Sequence, residues 1–379
     1  MKELGVYIHI PFCLKKCNYC DFVSFSSNDK KISEYINYIT KEIQIYRNTL
    51  NEDYIVNSIF IGGGTPSLID SKHLKTIIDE INQSFKVDSE AEITIEANPG
   101  TLDNTKLAIY HEIGINRISI GAQSLNDDIL KKLGRIHNSY DVLDAVELIR
   151  TNQFKNYNID MMIGLPDQTI YNVLTDLENV IKLKPTHISL YSLIIEEGTL
   201  FFELEKHGQL NLPNEDEERI MYHKAIELLE KNGYKQYEIS NFAKEGFECR
   251  HNLKYWTLMP YIGLGLNSHS YIENTRYSNY SNFDEYYKKI KENKLPVSSE
   301  EYIDDISRMT EYIILGIRLN KGINKKHFKE NFGIDIEDYY KDAIIKNKQN
   351  GNIYEDEETI KLTKKGLDFS NIVELDFYI

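Results

Sequence analysis

The chain has 379 residues, 44 basic and 59 acidic, giving a formal net charge of −15, with 41% apolar and 27% charged residues. This is globular composition with room for two or three domains of roughly 100–200 residues each, not that of a disordered chain or a coiled coil. The acidic balance argues against nonspecific nucleic-acid binding, which needs a basic stripe, and no apolar run reaches the roughly 18 residues of a membrane span.

The opening MKELGVYIHIPFC has neither a long apolar stretch nor a small-residue cleavage site, so a cytoplasmic protein without a signal peptide is expected. Short apolar runs predict strands over 4–10, 58–62, 92–97, 117–121, 158–163 and 187–192. Amphipathic stretches between them predict helices over 32–46, 71–84, 105–112, 127–133, 140–151 and 170–183. Strands alternating with helices imply a parallel sheet wound by right-handed crossovers. Six such units are too few for a complete eight-unit barrel. The expected fold class is therefore α/β, an incomplete (β/α)6 TIM-type barrel open on one side.

A charged stretch at 215–219 opens a solvated helix. Near residue 245 the rhythm changes to a segment rich in Tyr, Asn and Gly over 249–280. Helices are expected over 283–293, 304–320, 325–332 and 335–346, then a short hairpin beside a helix over 353–362 and 365–379. This pattern resembles a winged helix. Acidic residues (Glu330, Asp335, Glu337, Asp338) interleave the helices, favouring a packing or partner-binding role over DNA recognition. The resulting division is a barrel over 1–245, a connecting segment over 246–300 and a smaller C-terminal α+β, winged-helix-like domain over 301–379.

Cys13, Cys17 and Cys20 follow the first strand directly, whereas the fourth cysteine, Cys249, lies far away. The trio therefore sits on a loop at the C-terminal end of a barrel strand, where barrel active sites are built. Thiolates suit zinc or iron–sulfur clusters, and an ordinary [4Fe–4S] cluster takes four cysteines. Three on one loop can hold three irons and leave the fourth open to a small chelating ligand. The alternative is a zinc knuckle completed by His9 or Cys249. The run Gly62-Gly63-Gly64-Thr65-Pro66 after the second strand lets backbone groups approach a ligand without interference from Cβ atoms; it is not a Walker loop, and read alone it is a tight turn. Glu96, Gln123, Arg135 and Asp160 come from successive units around the same mouth. A carboxylate within a parallel strand, such as Asp160, must point somewhere buried and needs a partner there.

These motifs together resemble the radical S-adenosylmethionine (SAM) superfamily and, within it, the anaerobic coproporphyrinogen III oxidase family. The resemblance rests on the run 7–13 (YIHIPFC), Gly62–Pro66, 121–124, 133–137 and the 160–166 run, and it spans nearly the whole chain. It implies that the three cysteines bind a [4Fe–4S] cluster whose unique iron is chelated by SAM. By the same resemblance Tyr7 and Tyr19 flank cluster and SAM, Gly63, Gly64 and Thr65 meet the methionine part, and Glu96, Gln123, Arg135 and Asp160 complete SAM recognition. A cationic sulfonium and amine, a carboxylate and ribose hydroxyls match a site with both carboxylates and an arginine.

One departure bears on function. The family's oxidases carry a further cysteine two residues beyond the third, where this chain has Phe22, and they have a longer N-terminal extension. Both features resemble the haem-chaperone branch, whose members bind haem and deliver it to haemoproteins. That branch also carries His-Asn-x-x-Tyr-Trp, here His251 to Trp256. His251 and Cys249 are accordingly candidate haem ligands, and Tyr255 and Trp256 candidates to cover a porphyrin face; Arg250 and Lys254 supply local positive charge for its propionates. The bland alternative is a packed, hydrogen-bonded corner between barrel and second domain. The implied partners are haem and recipient haemoproteins, with peripheral contact where those sit in a membrane, no nucleic acid, and a monomer or a dimer. Two further readings are an oxygen-independent coproporphyrinogen III oxidase and a zinc-stabilised interaction module without catalysis.

Overall fold

The computed structural model describes residues 1–26, 28–50 and 53–378; position 379, at the end of the expected C-terminal domain, lies outside the described residues. Six strands lie side by side in chain order with every neighbouring pair parallel: β1 (Lys2–Ile10), β2 (Tyr54–Gly63), β3 (Val87–Ala97), β4 (Arg117–Gln123), β5 (Asn156–Ile163) and β6 (His187–Ser192). The returning helices are α1 (Asp29–Thr49), α2 (Ser71–Ser84), α3 (Asn104–Glu112), α4 (Asp127–Lys132), α5 (Ser139–Thr151) and α6 (Ile170–Leu183). Their starts are written in the sequence. Asn138 caps α5 in a reciprocal box with Asp141, and Thr169 caps α6 with Asn172.

Each strand carries two faces. One is apolar and buried against the helices: Ile59 and Ile61, Ile93 and Ile95, Ile118 and Ile120, Ile159 and Ile163. The alternate positions, among them Glu96, Arg117, Ser119, Asn158, Asp160 and Ser189, line a cavity. Side chains alternate across a strand, so this period-two pattern sends the oily row outward to the helices and the polar row into the lumen.

The sheet does not stop at six strands. After α7 (Leu200–Lys206) and α8 (Glu215–Lys231), β7 (Lys235–Glu238) and β8 (Asn241–Ala243) extend the β6 edge antiparallel. The short helix α9 (Arg250–Trp256) leads to β9 (Tyr261–Leu264), which joins β1 in parallel. Then β10 (His269–Ile272), β11 (Thr275–Asn279) and, after α10 (Phe283–Lys291), β12 (Val297–Tyr302) complete a sheet of twelve strands. The segment expected to connect the domains thus forms one edge of the barrel sheet, and Ile262, Leu264, Tyr286 and Ile290 belong to the same core as Leu4 and Ile8.

The remaining chain has its own core around Ile313, Phe328, Ile360 and Phe377. It comprises α11 (Asp305–Gly316), β13 (Ile323–Asn324), α12 (Lys325–Phe332), α13 (Ile336–Tyr339), α14 (Lys341–Gln349), β14 (Ile353–Glu355), β15 (Thr359–Leu362), α15 (Lys364–Asp368) and α16 (Ser370–Asp376). Helices beside the three-stranded sheet β13-β15-β14 give the winged-helix-like arrangement. The helix expected over 304–320 ends at Gly316, because the next residues reach the barrel: Leu319 bridges Glu238 and Asn320 donates to the Gln236 carbonyl at 2.9 Å. The helix expected over 335–346 breaks at Tyr340, which is buried with its hydroxyl 3.0 Å from that of Thr310.

One buried acid holds the β9 edge together. Glu42 of α1 is fully buried and accepts from the Tyr286 hydroxyl at 2.6 Å, the Asn279 amide at 2.6 Å and the Gly265 backbone N–H at 2.8 Å. Burial pushes its carboxyl up to about 7, against the lowering by these three donors. The folded state therefore keeps a proton that the unfolded chain releases above about pH 4.5, so stability falls as pH rises from there towards 7. The shift corresponds to about 3 kcal/mol. Glu42→Gln is expected to remove this loss: the melting temperature of the variant minus that of the native chain should rise between pH 5 and pH 8. Parallel melting curves across that range would contradict the assignment.

Candidate functional site

The cysteine loop leaves the C-terminal end of β1 and is stitched to its neighbours through the backbone. The Cys13 N–H donates to the Phe25 carbonyl (3.1 Å), and the Gly64 and Thr65 N–H groups donate to the Ile10 and Phe12 carbonyls (both 2.9 Å). Asn18 clamps the other side, its backbone N–H on the Leu133 carbonyl (3.0 Å) and its side chain on that of Lys132 (2.8 Å). The three sulfurs are partly exposed and form no disulfide. Burial raises the Cys20 thiol to about 11; a bound cation would reverse that preference.

Neither completion of a zinc knuckle is available. Both His9 ring nitrogens are taken, by the Tyr7 hydroxyl and the Val23 carbonyl at 3.1 Å each. Cys249 lies on the barrel floor, donating to Glu92 at 3.5 Å. Among the described residues no three His, Cys, Asp or Glu side chains converge on one point as a single metal ion requires. Three sulfurs that hold three separate irons need no such convergence.

Beneath the loop lies a cavity of about 430 Å³. It gathers all the residues expected to hold cluster and SAM except Tyr7: Cys13, Cys17, Tyr19, Cys20, Gly63, Gly64, Thr65, Glu96, Gln123, Arg135 and Asp160. Tyr7 stands just outside, half-buried and bonded to His9, and the desolvation of its hydroxyl raises its phenol pKa. At Gly63 a Cβ would fall 2.5 Å from the His9 ring, and φ is +110°, so only glycine fits. Gln123 closes β4 at a bulge with φ +69°, a left-handed conformation held by the pairing of β4 with β5. Strain of this kind is concentrated at ligand sites.

The cavity sets two carboxyls, Glu96 and Asp160, against two arginines, Arg117 and Arg135. The Glu96 carboxyl accepts the Gly63 N–H at 3.1 Å, and burial, then the nearby Asp160 charge, raises it to about 8. Asp160 is also raised by burial despite hydrogen bonds from Asn158 (2.7 Å) and Ser119 (3.3 Å). The buried Arg117 guanidinium lowers both from a distance, but among the described residues neither carboxyl has a cation within ion-pair distance, and burial still holds both raised, which fits them to receive a positively charged ligand. Arg135 sits opposite, donating to Asn98 (2.8 Å), to the Gly121 carbonyl and to the Cys17 sulfur (3.5 Å). Its buried Nε has no partner within the protein. Thr65 donates to Cys13 (3.6 Å) and accepts from Asn98 (3.1 Å), so Asn98 links both cysteine contacts.

The radical SAM family model matches residues 7–178, and the HemN C-terminal domain model matches residues 303–369. The chain is 37% identical to the heme chaperone HemW of Bacillus subtilis, over 96% of both chains. It is 35% identical to HemW of Lactococcus lactis, over 98% of this chain and 96% of the relative. The chain belongs to the HemW family of radical SAM proteins. The fold of coproporphyrinogen III oxidase (HemN) from Escherichia coli is shared at a TM-score of 0.86 with 21% identity, covering 99% of this chain and 90% of that one.

The run His251–Trp256 lies in α9 and closes the floor of the barrel. His251 is 1% exposed, with its ring nitrogens on the Ser58 hydroxyl (3.0 Å) and the Tyr255 hydroxyl (2.9 Å) and its ring stacked on Phe60. Burial lowers it to about 3, so it is neutral. Cys249 is fully buried and raised to about 12 by burial. Tyr255 packs edge-on against Tyr261, and Trp256 lies under the Arg318 guanidinium at 5.1 Å, joining barrel to C-terminal domain. Asn252 alone of this run lines the cavity. The sequence reading missed Asn252, Asn98, Arg117, Ser119, Asn158 and Ser189. The last four were detectable by extending the alternation from Asp160 to its neighbours on the lumen face.

Proposed function

We propose that this chain is a haem chaperone built on the radical SAM fold, holding one [4Fe–4S] cluster and SAM at the barrel mouth and handing haem to recipient haemoproteins in the cytoplasm. The observation that carries the reading is the pairing of two cation-seeking carboxylates with an open three-cysteine loop in one cavity, in a chain that matches HemW relatives end to end. Cys13, Cys17 and Cys20 would hold the cluster. Glu96 and Asp160 would face the positive charges of SAM, Arg135 its carboxylate, and the Gly63–Thr65 backbone its methionine part. Bound together, and given an electron by an external reductant, cluster and SAM would supply one-electron reductive cleavage at the sulfonium. Arg135 would fix the ligand against the Cys17 side of the loop, and the cavity walls would keep water away.

Phe22 stands 58% exposed two residues beyond Cys20, the position at which the oxidases resembled by this chain carry a further cysteine. Incubation of cluster-loaded protein with coproporphyrinogen III, SAM and a reductant is therefore expected to give no protoporphyrinogen, while haemin binds. Formation of protoporphyrinogen would instead establish an oxidase.

A further inference from the structure

We infer that the groove between α8 and the C-terminal domain is the cargo site, taking haem with His223 as axial ligand; this rests on the chaperone reading above. The groove encloses about 580 Å³, more than the barrel cavity, which has SAM to accommodate. Cofactor sites of roughly 300–1,000 Å³ with apolar walls and a few convergent polar groups are the common form. Its apolar walls come from both units: Ile226 of α8, Ile317 and Leu319 of the crossing segment, Leu362 and Leu367 of the wing and α15.

His223 projects from α8 into this groove with its side chain 31% exposed, where His251 is sealed. Its Nε2 is held by the Asp368 carboxylate at 2.8 Å. No protein group among the described residues is hydrogen-bonded to Nδ1. Imidazoles that bind metals are commonly fixed in this way, one nitrogen on a carboxylate that orients the ring while the other is left for the metal. Haem iron accepts such a ligand. The two propionates require cations, and Lys361, Lys364 and Lys365 lie together along the wing side of the groove, Lys365 also donating to the Asn350 carbonyl at 2.7 Å and Lys361 lying over the Tyr354 ring, in a molecule whose net charge is −15. The acids on the opposite wall are Glu227, already paired with Lys224 at 2.8 Å, and Glu230. Haem thus has an apolar slot, an anchored ligand on the barrel side and a cationic edge on the other.

Haemin titration of the full chain, followed by Soret absorption, tests this. His223→Ala is expected to lose the ligand-dependent band position and to bind at least tenfold more weakly. The exposed double change Lys364→Glu, Lys365→Glu should weaken binding similarly while keeping the band position, and it leaves the core untouched should the alanine variant fold poorly. His251→Gln should bind as the native chain does. Loss of the band in His251→Gln with retention in His223→Ala would overturn the site, as would native affinity in both the His223 and lysine variants. No haemin binding by the native chain would overturn the chaperone reading itself.

Discussion

Gly64→Ala should empty the cysteine loop of iron. A methyl group at this position would stand 2.8 Å from the Phe12 carbonyl oxygen and 2.9 Å from the Ile10 carbonyl oxygen and the Phe12 nitrogen. All three are backbone atoms, so no rotamer change relieves the clash; the strand-end backbone itself must move. That backbone carries the two hydrogen bonds tying the glycine loop to the residues just before Cys13. Overpacking of this kind costs about 1–3 kcal/mol, and here it falls on the segment that sets the sulfur positions. After anaerobic reconstitution the variant should hold about one iron or fewer, against about four in the native chain. Gly100→Ala is the matched control. It sits at the neighbouring β3 mouth with φ +80° and nothing within 4 Å of an added Cβ, so it strains only itself and should keep its iron. Equal iron in Gly64→Ala and the native chain would show that the loop is not set by this contact.

SAM binding to the cluster-loaded protein should release about one proton at neutral pH, from Glu96. With its carboxyl raised to about 8, burial first and Asp160 second, Glu96 is mostly protonated at pH 7 in the free protein. A cationic ligand favours the ionised form, so binding drives the proton out. The sign follows: affinity should strengthen with pH, roughly tenfold from pH 6 to pH 7, and level off above about 8. Calorimetry in two buffers of different ionisation enthalpy counts the proton. Glu96→Gln should abolish both the proton release and the slope, and weaken binding by roughly 10–100-fold, the loss of one buried charge-assisted contact. A pH-independent affinity with no proton released would remove Glu96 from contact with the ligand's positive charge.

The barrel was legible because its signals are local. Each βα unit repeats the same alternation of a branched apolar strand and a capped helix, and each loop carries its own marked residue. The edges were not legible. β11 reads Thr-Arg-Tyr-Ser-Asn and β12 Val-Ser-Ser-Glu-Glu-Tyr, polar sequences that are strands only because β10 presents a hydrogen-bonding edge to β11, and β11 in turn to β12. Tertiary context decides strand formation in such segments. The candidate site divides the same way. Residues at strand ends were found from motif and position, whereas Asn252 reaches the cavity from a helix that enters the barrel floor from more than a hundred residues beyond the lumen residues Ser119 and Asn98. His251 stood out as a lone histidine beside the only tryptophan, but of its surroundings only Tyr255 comes from its own helix; Ser58 and Phe60 come from the distant strand β2. Conversely, His223 lies in an unremarkable charged helix, and only folding brings Asp368 to it.

The most direct test of the account is the electron paramagnetic resonance spectrum of the reconstituted, reduced protein with and without SAM. The account predicts a cluster signal whose shape changes when SAM is added, and no such signal after Cys17→Ser. A native protein that reconstitutes without a cluster, or a cluster signal indifferent to SAM, would contradict it.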